Sequence, residues 1–245
     1  MMATATTSRT IHLSPMEPYD ASINLEETAL ILIDFQKDFL EPGGFGEMLG
    51  NDVFKLRKAV SPCQQVLESA RKASVRLIIH TREGHRRDLT DLMACKFQRP
   101  DNRPHATLKS SGVIGIDPGH GSKILVRGEK GHDIIEELYP LPGEPIIDKP
   151  GKGSFYATDL ECILISQGIK SLIVCGVTTE VCVHTTIREA NDRGFYCIML
   201  EDCCASFFEE FHTSSVNMTK AQGGIFGSVT TSTTFIKAVQ DVMQK

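Results

Sequence analysis

Six short apolar runs recur along the chain and predict the strands of a buried sheet. In the first, TALILID at residues 28–34, apolar residues fill consecutive positions instead of alternating with polar ones. This pattern is typical of a strand that is covered on both faces, as in a parallel sheet. The remaining runs lie at residues 76–80, 144–148, 171–174, 195–200 and 228–230.

Residues with helical periodicity fill the intervals between the predicted strands. Thr158 and Glu161 form a capping box, which predicts the first turn of one of these helices. The helices are predicted at residues 53–73, with a break at Ser61-Pro62, and at 131–138, 158–168, 185–193, 208–221 and 233–242. Strands that alternate with helices predict an α/β fold, in which right-handed crossovers place helices on both faces of a mostly parallel six-stranded sheet.

The polar stretches at the N-terminus and in the middle of the chain bear on domain organisation. Residues 1–26 are polar and lack the apolar core of a signal peptide, so we predict an N-terminal tail there. Residues 27–245 contain no repeat and no linker, and we predict that they form a single domain. The long polar segment at 81–121 lacks the spacing of metal ligands, which favours surface or interface roles over a metal or anion site.

Composition and charge narrow the range of partners. The chain has 245 residues, of which 41% are hydrophobic and 23% charged, as in an ordinary globular protein, and its formal net charge is -5. An acidic net charge without a long basic run argues against a nucleic-acid partner. No apolar stretch approaches the roughly 20 residues that span a bilayer, so no membrane partner is expected. The 8 cysteines include no C-x-x-C pair, which predicts reduced thiols and a cytoplasmic location.

Three residues of different chemistry fall at or just beyond the carboxyl ends of predicted strands: Asp34, Lys149 and Cys182. Ligands of open parallel sheets bind outside these ends. Taken singly, each residue has an ordinary explanation, since Asp34 can cap a helix, most lysines are solvated, and free cysteines are more often packed and inert. An acid, a cation and a thiol in three equivalent places favour a catalytic group over three unrelated residues.

The stretch CGVTTEVCVH at residues 175–184 places Cys182 near the start of a helix. With Thr179 as the N-cap, Cys182 lies in the first turn, where the helix dipole favours a thiolate and therefore a nucleophile. His184 is disfavoured as the base for this thiol, because residues two apart on a helix point about 200° apart. No G-x-G-x-x-G follows the first strand, and the GKGS run after Lys149 lacks the full phosphate-loop pattern, so neither kind of nucleotide site is supported.

Three stretches of this sequence resemble the isochorismatase-like cysteine hydrolases. They are ILIDFQKDF around Asp34, IIDKPGKGSFYATDLE around Lys149 and GVTTEVCVHTTIREANDRG around Cys182. The resemblance extends from about Thr28 to the C-terminus and implies a Rossmann-like three-layer α/β/α fold. Within this superfamily, the stretches HTREGHRRDLTDL, RGEKGHDIIEELYP and MTKAQGGIFGSV are similar to the biuret hydrolases.

The resemblance implies that Asp34, Lys149 and Cys182 form a catalytic triad. It also implies a cis peptide bond between Val177 and Thr178, which turns backbone N–H groups toward the substrate oxygen. In this arrangement Asp34 is the proton acceptor, Lys149 stabilises the charged pair, and Cys182 attacks a carbonyl carbon.

The resemblance has further implications for substrate, cofactor and assembly. It implies that Gln222 binds substrate and that Phe39 lines the pocket. The D-x-H metal pattern that nicotinamidases of this superfamily carry after the second strand is missing, so neither a metal nor another cofactor is expected. The chain departs from the relatives in having no Trp, and His132 stands where a Trp is expected. The resemblance also implies a homotetramer, with the segment at 81–121 as a candidate interface.

Together these features predict a cysteine-dependent amidohydrolase that releases ammonia from a small urea-type amide. The first expectation is the conversion of biuret to allophanate. Triuret and ureidoacrylate are alternative substrates, and isochorismate is a further one that needs vinyl-ether hydrolysis in place of thiol attack. A non-catalytic binding or assembly protein with the same fold is a third interpretation, which the complete triad disfavours.

Overall fold

A parallel sheet forms the centre of the computed structural model, which describes residues 9–93, 96 and 113–244. The strands in the described part are β1 Thr10–Leu13, β2 Ala21–Asn24, β3 Thr28–Ile33, β4 Leu77–Glu83, β5 Ile146–Lys149, β6 Ser171–Val177, β7 Tyr196–Ala205 and β8 Ser228–Thr230. The last six of these form one sheet in the order β5-β4-β3-β6-β7-β8, and every neighbouring pair is parallel. The predicted α/β fold with a parallel six-stranded sheet is therefore confirmed.

Helices connect the strands, with two departures from the predicted boundaries. The predicted helix at 53–73 is divided after Arg57, because Pro62 belongs to the first turn of the next helix, where its missing N–H leaves no bond unmade. The helix predicted at 131–138 is wrong, since the only helical turn there is the 3₁₀ turn Glu136–Leu138. Among the described residues, no helix is long and apolar enough to cross a lipid bilayer. The α-helices whose bounds lie within the described residues are α1 Lys37–Leu40, α2 Phe45–Met48, α3 Phe54–Arg57, α4 Val60–Lys72, α5 Leu160–Ser166, α6 His184–Asp192, α7 Glu209–Gly224 and α8 Ser232–Met243.

Helices cover both faces of the sheet, as the side chains of β3 show. Leu30 and Leu32 belong to a core cluster that includes residues of α4 and α8. Ala29, Ile31 and Ile33 belong to a second cluster that includes residues of α5 and α6. Because successive strand residues point to opposite faces, the two clusters lie on the two sides of the sheet and produce the three-layer arrangement. The continuous apolar run of this strand follows from that double burial.

Part of the N-terminal region is folded onto the domain, so the prediction of a tail over residues 1–26 is wrong for this part. β1 and β2 pair as an antiparallel hairpin. Ile11 and Leu13 have no exposed surface, and they pack in the same core cluster as α4 and α8. Glu17 and Val229 each donate a backbone N–H to the carbonyl of the other, at 2.9 and 2.8 Å. This contact pairs part of the edge strand β8, which would otherwise present unpaired backbone groups.

The folded N-terminal hairpin can be tested by truncating one of its buried side chains. We expect Ile11→Ala to lower the free energy of unfolding by about 2–4 kcal/mol, because it removes a fully buried side chain from the core. His12→Ala, on the exposed face of the same strand, is the matched control and should change stability by less than about 0.5 kcal/mol. Urea denaturation measures both, and equal effects would contradict the packing of β1.

Candidate active site

Neighbouring strands of the sheet end side by side, and each delivers a polar residue to one place. Asp34 follows β3, Glu83 ends β4 and Lys149 ends β5. β4 lies between β3 and β5, and Glu83 is paired in register with Lys149. β6 lies on the other side of β3 and leads into the turn that carries Cys182. The structure therefore brings together the three predicted residues and adds a fourth.

Asp34 and Lys149 form a fully buried ion pair. Neither side chain has exposed surface, and Lys149 Nζ lies 2.7 Å from Asp34 Oδ2. Lys149 also donates to the carbonyl oxygens of Gly151 and Lys152, at 3.1 and 2.9 Å, while Thr81 Oγ1 donates to Asp34 Oδ1 at 2.7 Å. Burial lowers the pKa of Lys149, but the surrounding negative groups, Asp34 foremost, raise it above its usual value. The ammonium group is therefore charged.

The backbone at the ends of β3 and β6 is specialised. Asp34 has a φ of 55°, in the left-handed region that Asp tolerates better than most residues. Gly176 has a φ of 153°, and a Cβ there would lie 2.6 Å from both Cβ and the carbonyl oxygen of Ile33. Only glycine therefore allows β3 and β6 to approach so closely. The peptide bond between Val177 and Thr178 is cis, as the resemblance implies.

Cys182 lies in a π-helical turn, Thr179–Val183, that leads directly into α6. Thr178 is the N-cap of this turn, so the cap predicted at Thr179 is wrong by one residue. The turn still places Cys182 at the start of a helix, next to the carboxyl end of β6. The predicted location of the thiol is therefore correct, although the type of helical turn is not the one expected.

The thiol of Cys182 is neutral in this environment. The residue is only 4% exposed, and burial raises the pKa of the thiol well above its usual value. Lys149 and Lys152 lower this pKa, whereas Asp34 and Glu83 raise it. Burial and the two carboxylates therefore outweigh the helix-dipole effect that favours a thiolate. Sγ donates a hydrogen bond to Glu83 Oε2 at 3.7 Å.

Glu83 is a functional candidate that the sequence analysis missed. Its side chain has no exposed surface, and its Oε1 lies 2.6 Å from Lys152 Nζ and 3.8 Å from Lys96 Nζ. Burial raises the pKa of Glu83, but the ammonium groups of Lys152, Lys149 and Lys96 lower it below the usual value. The strand predicted at residues 76–80 continues to Glu83 as β4. A longer predicted strand would have placed Glu83 at a strand end, beside Asp34 and Lys149. The interpretation of residues 81–121 as surface is therefore wrong for this residue.

A cavity of about 430 Å³ lies beside Cys182. Phe39 lies on its wall, as predicted, and its ring meets that of Phe45 edge to face with centroids 5.7 Å apart. The charged side chains on the wall are Glu83, Lys96, Lys152 and Glu180, and the apolar ones include Leu49, Ile114, Phe207 and Phe208. Lys96 and Ile114 come from the long polar segment, which therefore contributes to the cavity. The wall combines charged and apolar side chains.

Two other residues considered in the sequence lie away from this cavity. Gln222 is exposed near the C-terminal end of α7, where its φ of 51° interrupts the helix, and it does not line the cavity wall. The structure does not place Gln222 on this cavity wall, and its contact with substrate stays a prediction. His184 accepts a hydrogen bond from Arg188 at 3.2 Å and meets the ring of Phe226 edge to face.

Three potential metal-ligand atoms, one each from Asp34, Glu83 and Cys182, lie within 4.8 Å of one another. Carboxylates and a thiolate at this spacing can bind a divalent cation. Each carboxylate, however, is already neutralised by a lysine: Asp34 by Lys149 and Glu83 by Lys152. A cation placed among these atoms would face two ammonium groups, so the donor set fits a metal poorly.

The buried ion pair can be tested through stability. Lys149→Met leaves the Asp34 carboxylate buried without its cation, and we expect the free energy of unfolding to fall by about 3–5 kcal/mol. Lys170→Met removes an ion pair with Glu27 whose lysine is 71% exposed, so that variant should lose less than about 1 kcal/mol. Guanidinium denaturation measures both variants. Similar small losses would show that Asp34 and Lys149 do not pair as described.

The chain is similar to a known family and to characterised proteins and structures. The sequence profile of the isochorismatase domain family matches residues 28–233. Ureidoacrylate amidohydrolase RutB from Azorhizobium caulinodans is 29% identical over 188 residues, which cover 77% of this chain and 80% of the relative. A cysteine hydrolase from Pseudomonas syringae pv. phaseolicola superposes with a TM-score of 0.70 at 28% identity, over 90% of this chain and 95% of that chain. N-carbamoylsarcosine amidase from Thermoplasma acidophilum has the same fold, with a TM-score of 0.61 at 21% identity over 84% and 96% of the two chains.

The profile match and the named relative concern two different predictions, the superfamily and the finer resemblance to biuret hydrolases. The profile match covers most of the chain and includes Asp34, Lys149 and Cys182. The curated relative is named for ureidoacrylate and not for biuret, so the resemblance to biuret hydrolases stays a prediction. The chain therefore belongs to the isochorismatase-like hydrolase family.

Proposed function

We propose that this protein is a cysteine-dependent amidohydrolase that releases ammonia from a small urea-type amide, with biuret as the first candidate. The observation that carries the proposal is the position of the Cys182 thiol. It lies beside a cavity, with an oxygen of Asp34 within 4.8 Å, and Asp34 is held by Lys149. A thiol, a carboxylate and a buried cation in this arrangement are the elements of nucleophilic attack on a carbonyl carbon.

The first half-reaction transfers the acyl group to the enzyme. Asp34 takes the proton of the neutral Cys182 thiol as Sγ forms a bond to the substrate carbonyl carbon. The backbone N–H groups of Thr178 and Cys182 stabilise the resulting oxyanion, an effect worth about 3 kcal/mol per donor in comparable sites. Asp34 then gives the proton to the leaving nitrogen, the C–N bond breaks, and ammonia departs from a thioester.

The second half-reaction restores the thiol. Asp34 takes a proton from water, whose oxygen attacks the thioester carbon. The C–S bond then breaks, and the proton returns from Asp34 to Sγ. For biuret the balanced products are one ammonia and allophanate. Lys149 holds the carboxylate of Asp34 in place through both half-reactions by its ion pair at 2.7 Å.

Ureidoacrylate is the second candidate, and two observations favour it. The curated relative is named as a ureidoacrylate amidohydrolase. In addition, Lys96 and Lys152 bring two ammonium groups to the cavity wall, and such groups bind carboxylates such as the one that ureidoacrylate carries. Triuret and isochorismate are kept as further substrates to test. The homotetramer and the cytoplasmic location stay predictions.

An ammonia-release screen tests the proposed reaction. Purified enzyme is offered biuret, triuret, ureidoacrylate, urea and nicotinamide, and isochorismate is followed by pyruvate release. We expect biuret or ureidoacrylate to give the highest kcat/KM. Cys182→Ser should lower kcat on the preferred substrate by at least about 10³-fold, because the hydroxyl is a weaker nucleophile at this site.

A control variant distinguishes loss of catalytic activity from loss of the folded structure. Cys162→Ser changes an exposed cysteine away from the cavity and should leave activity within about twofold. Circular dichroism should show the same melting temperature for both variants. Substantial ammonia release by Cys182→Ser would remove Cys182 as the nucleophile, and no release by the wild type from any compound would favour a non-catalytic protein.

A variant at Lys96 should distinguish ureidoacrylate from biuret as the substrate. Lys96 Nζ donates to the carbonyl of Pro150 at 2.9 Å and lies 3.3 Å from His85 Nε2. Its ion pair with Glu83, at 3.8 Å, is weaker than that of Lys152, so this is the contact that a substrate carboxylate can replace. We expect Lys96→Met to raise KM for ureidoacrylate about tenfold, the worth of a hydrogen bond to a charged group, and to change KM for biuret less than about threefold. Lys72→Met, exposed on α4, is the control. Equal changes for both substrates would contradict a carboxylate-binding role.

A further inference from the structure

Glu83 makes contacts that the proposed triad mechanism does not use. It ends β4 in the row between Asp34 and Lys149, lines the substrate cavity and has no exposed surface. Lys152 Nζ lies within hydrogen-bond distance of both carboxylate oxygens, at 2.6 and 2.9 Å. A fully buried carboxylate is unfavourable unless it is paired, so its retention beside the thiol points to a role in the site.

The resting thiol donates its hydrogen bond to Glu83 instead of Asp34. The distance from Cys182 Sγ to Glu83 Oε2 is 3.7 Å. Asp34 Oδ1 accepts a hydrogen bond from the hydroxyl of Thr81, and Oδ2 is in ion-pair contact with Lys149, each at 2.7 Å. Glu83 therefore fixes the direction of the S–H bond before substrate enters.

Glu83 is suited to accept hydrogen bonds and poorly suited to keep a proton. Lys152, Lys149 and Lys96 together outweigh the effect of burial and hold its carboxyl group in the ionised form. An ionised carboxylate only accepts hydrogen bonds. When Sγ turns toward a carbonyl carbon, Glu83 Oε2 loses the thiol and keeps its contact with Lys152 at 2.9 Å. A carboxylate oxygen has two lone pairs, so an N–H group of the substrate can take the place of the thiol.

We propose that Glu83 holds the Cys182 thiol in the resting enzyme and then accepts a hydrogen bond from an N–H group next to the scissile carbonyl of the substrate. This inference rests on the proposed function and specifies the substrate class. The site selects carbonyl compounds with an N–H beside the reacting carbon, as in ureas and primary amides, over esters. The covalent steps are unchanged: the thiol proton passes to Asp34, and Glu83 takes no proton.

The thiol contact is tested by alkylation of Cys182 with iodoacetamide as a function of pH, followed by mass spectrometry of its peptide. The charged groups around the thiol are Lys149, Asp34, Glu83, Lys152 and Lys96. Replacing the anionic carboxylate in Glu83→Gln removes a group that stabilises the thiol form. We expect the midpoint of alkylation to move to lower pH by about one unit, which is about a tenfold faster reaction at any pH below the midpoint.

The matched control is Glu180→Gln, which removes a carboxylate from the same cavity wall without a hydrogen bond to Sγ. Its alkylation midpoint should move by less than that of Glu83→Gln, because Glu180 makes no hydrogen bond to Sγ. An unchanged or raised midpoint in Glu83→Gln would overturn the thiol contact. This measurement needs no substrate, so it stands even if the screen shows that the proposed amidohydrolase activity is absent.

The substrate contact is tested with two substrates. Ammonia release from biuret by Glu83→Gln should fall by about 10²-fold in kcat/KM, because hydrogen bonds to charged groups are worth up to about that factor. Release of p-nitrophenol from p-nitrophenyl acetate, which has no N–H, should stay equal to the wild type or increase. Equal losses on both substrates would overturn the selection for N–H groups and leave only a structural role. Melting temperatures confirm that the variant is folded.

Discussion

The ion pair between Asp34 and Lys149 is the interaction on which the site depends. Both side chains are fully buried, and the desolvation of two charges is offset only when their geometry and remaining hydrogen bonds are favourable. The sheet supplies those conditions. Thr81 binds the second oxygen of Asp34, and carbonyl groups of the turn after β5 bind the remaining protons of Lys149. A pair of this kind contributes little to stability compared with apolar side chains, so its presence at the end of the sheet indicates function.

A second ion pair balances the charge of the site. Glu83 and Lys152 neutralise each other next to Asp34 and Lys149, and the thiol of Cys182 lies among all four. With the charges balanced, burial decides the state of the thiol and keeps it protonated. In the proposed reaction the proton is removed as the sulfur attacks, and Asp34, with an oxygen within 4.8 Å of Sγ, is the group that takes it. A neutral resting thiol is also less exposed to oxidation than a thiolate.

The parts of the structure that follow from local pattern could be predicted, and those that follow from packing could not. Continuous apolar runs identified all six strands of the sheet, and the rule that ligands bind at strand ends selected Asp34, Lys149 and Cys182. Glu83 was not predicted as a site residue, because β4 continues beyond its apolar run into polar residues. The burial of these polar residues depends on packing in the folded protein and is not visible in the sequence.

Three other differences between the sequence analysis and the structure have the same origin. The thiol state depends on burial and on two carboxylates distant in sequence, which a helix-dipole argument does not contain. The N-terminal strands were missed because their apolar residues, Ile11 and Leu13, alternate with polar ones over only a few positions. Gln222 was placed by similarity, whereas the interruption of α7 leaves it exposed away from the cavity.

The central claim, that Cys182 attacks the substrate carbonyl, is tested most directly by trapping the intermediate. Enzyme and biuret are mixed in a single turnover, quenched with acid at successive times, digested and analysed by mass spectrometry. The structure predicts a transient adduct on the Cys182 peptide alone, with the mass of biuret less one ammonia. Release of ammonia while the Cys182 peptide stays unmodified at every time, or an adduct on another residue, would contradict it.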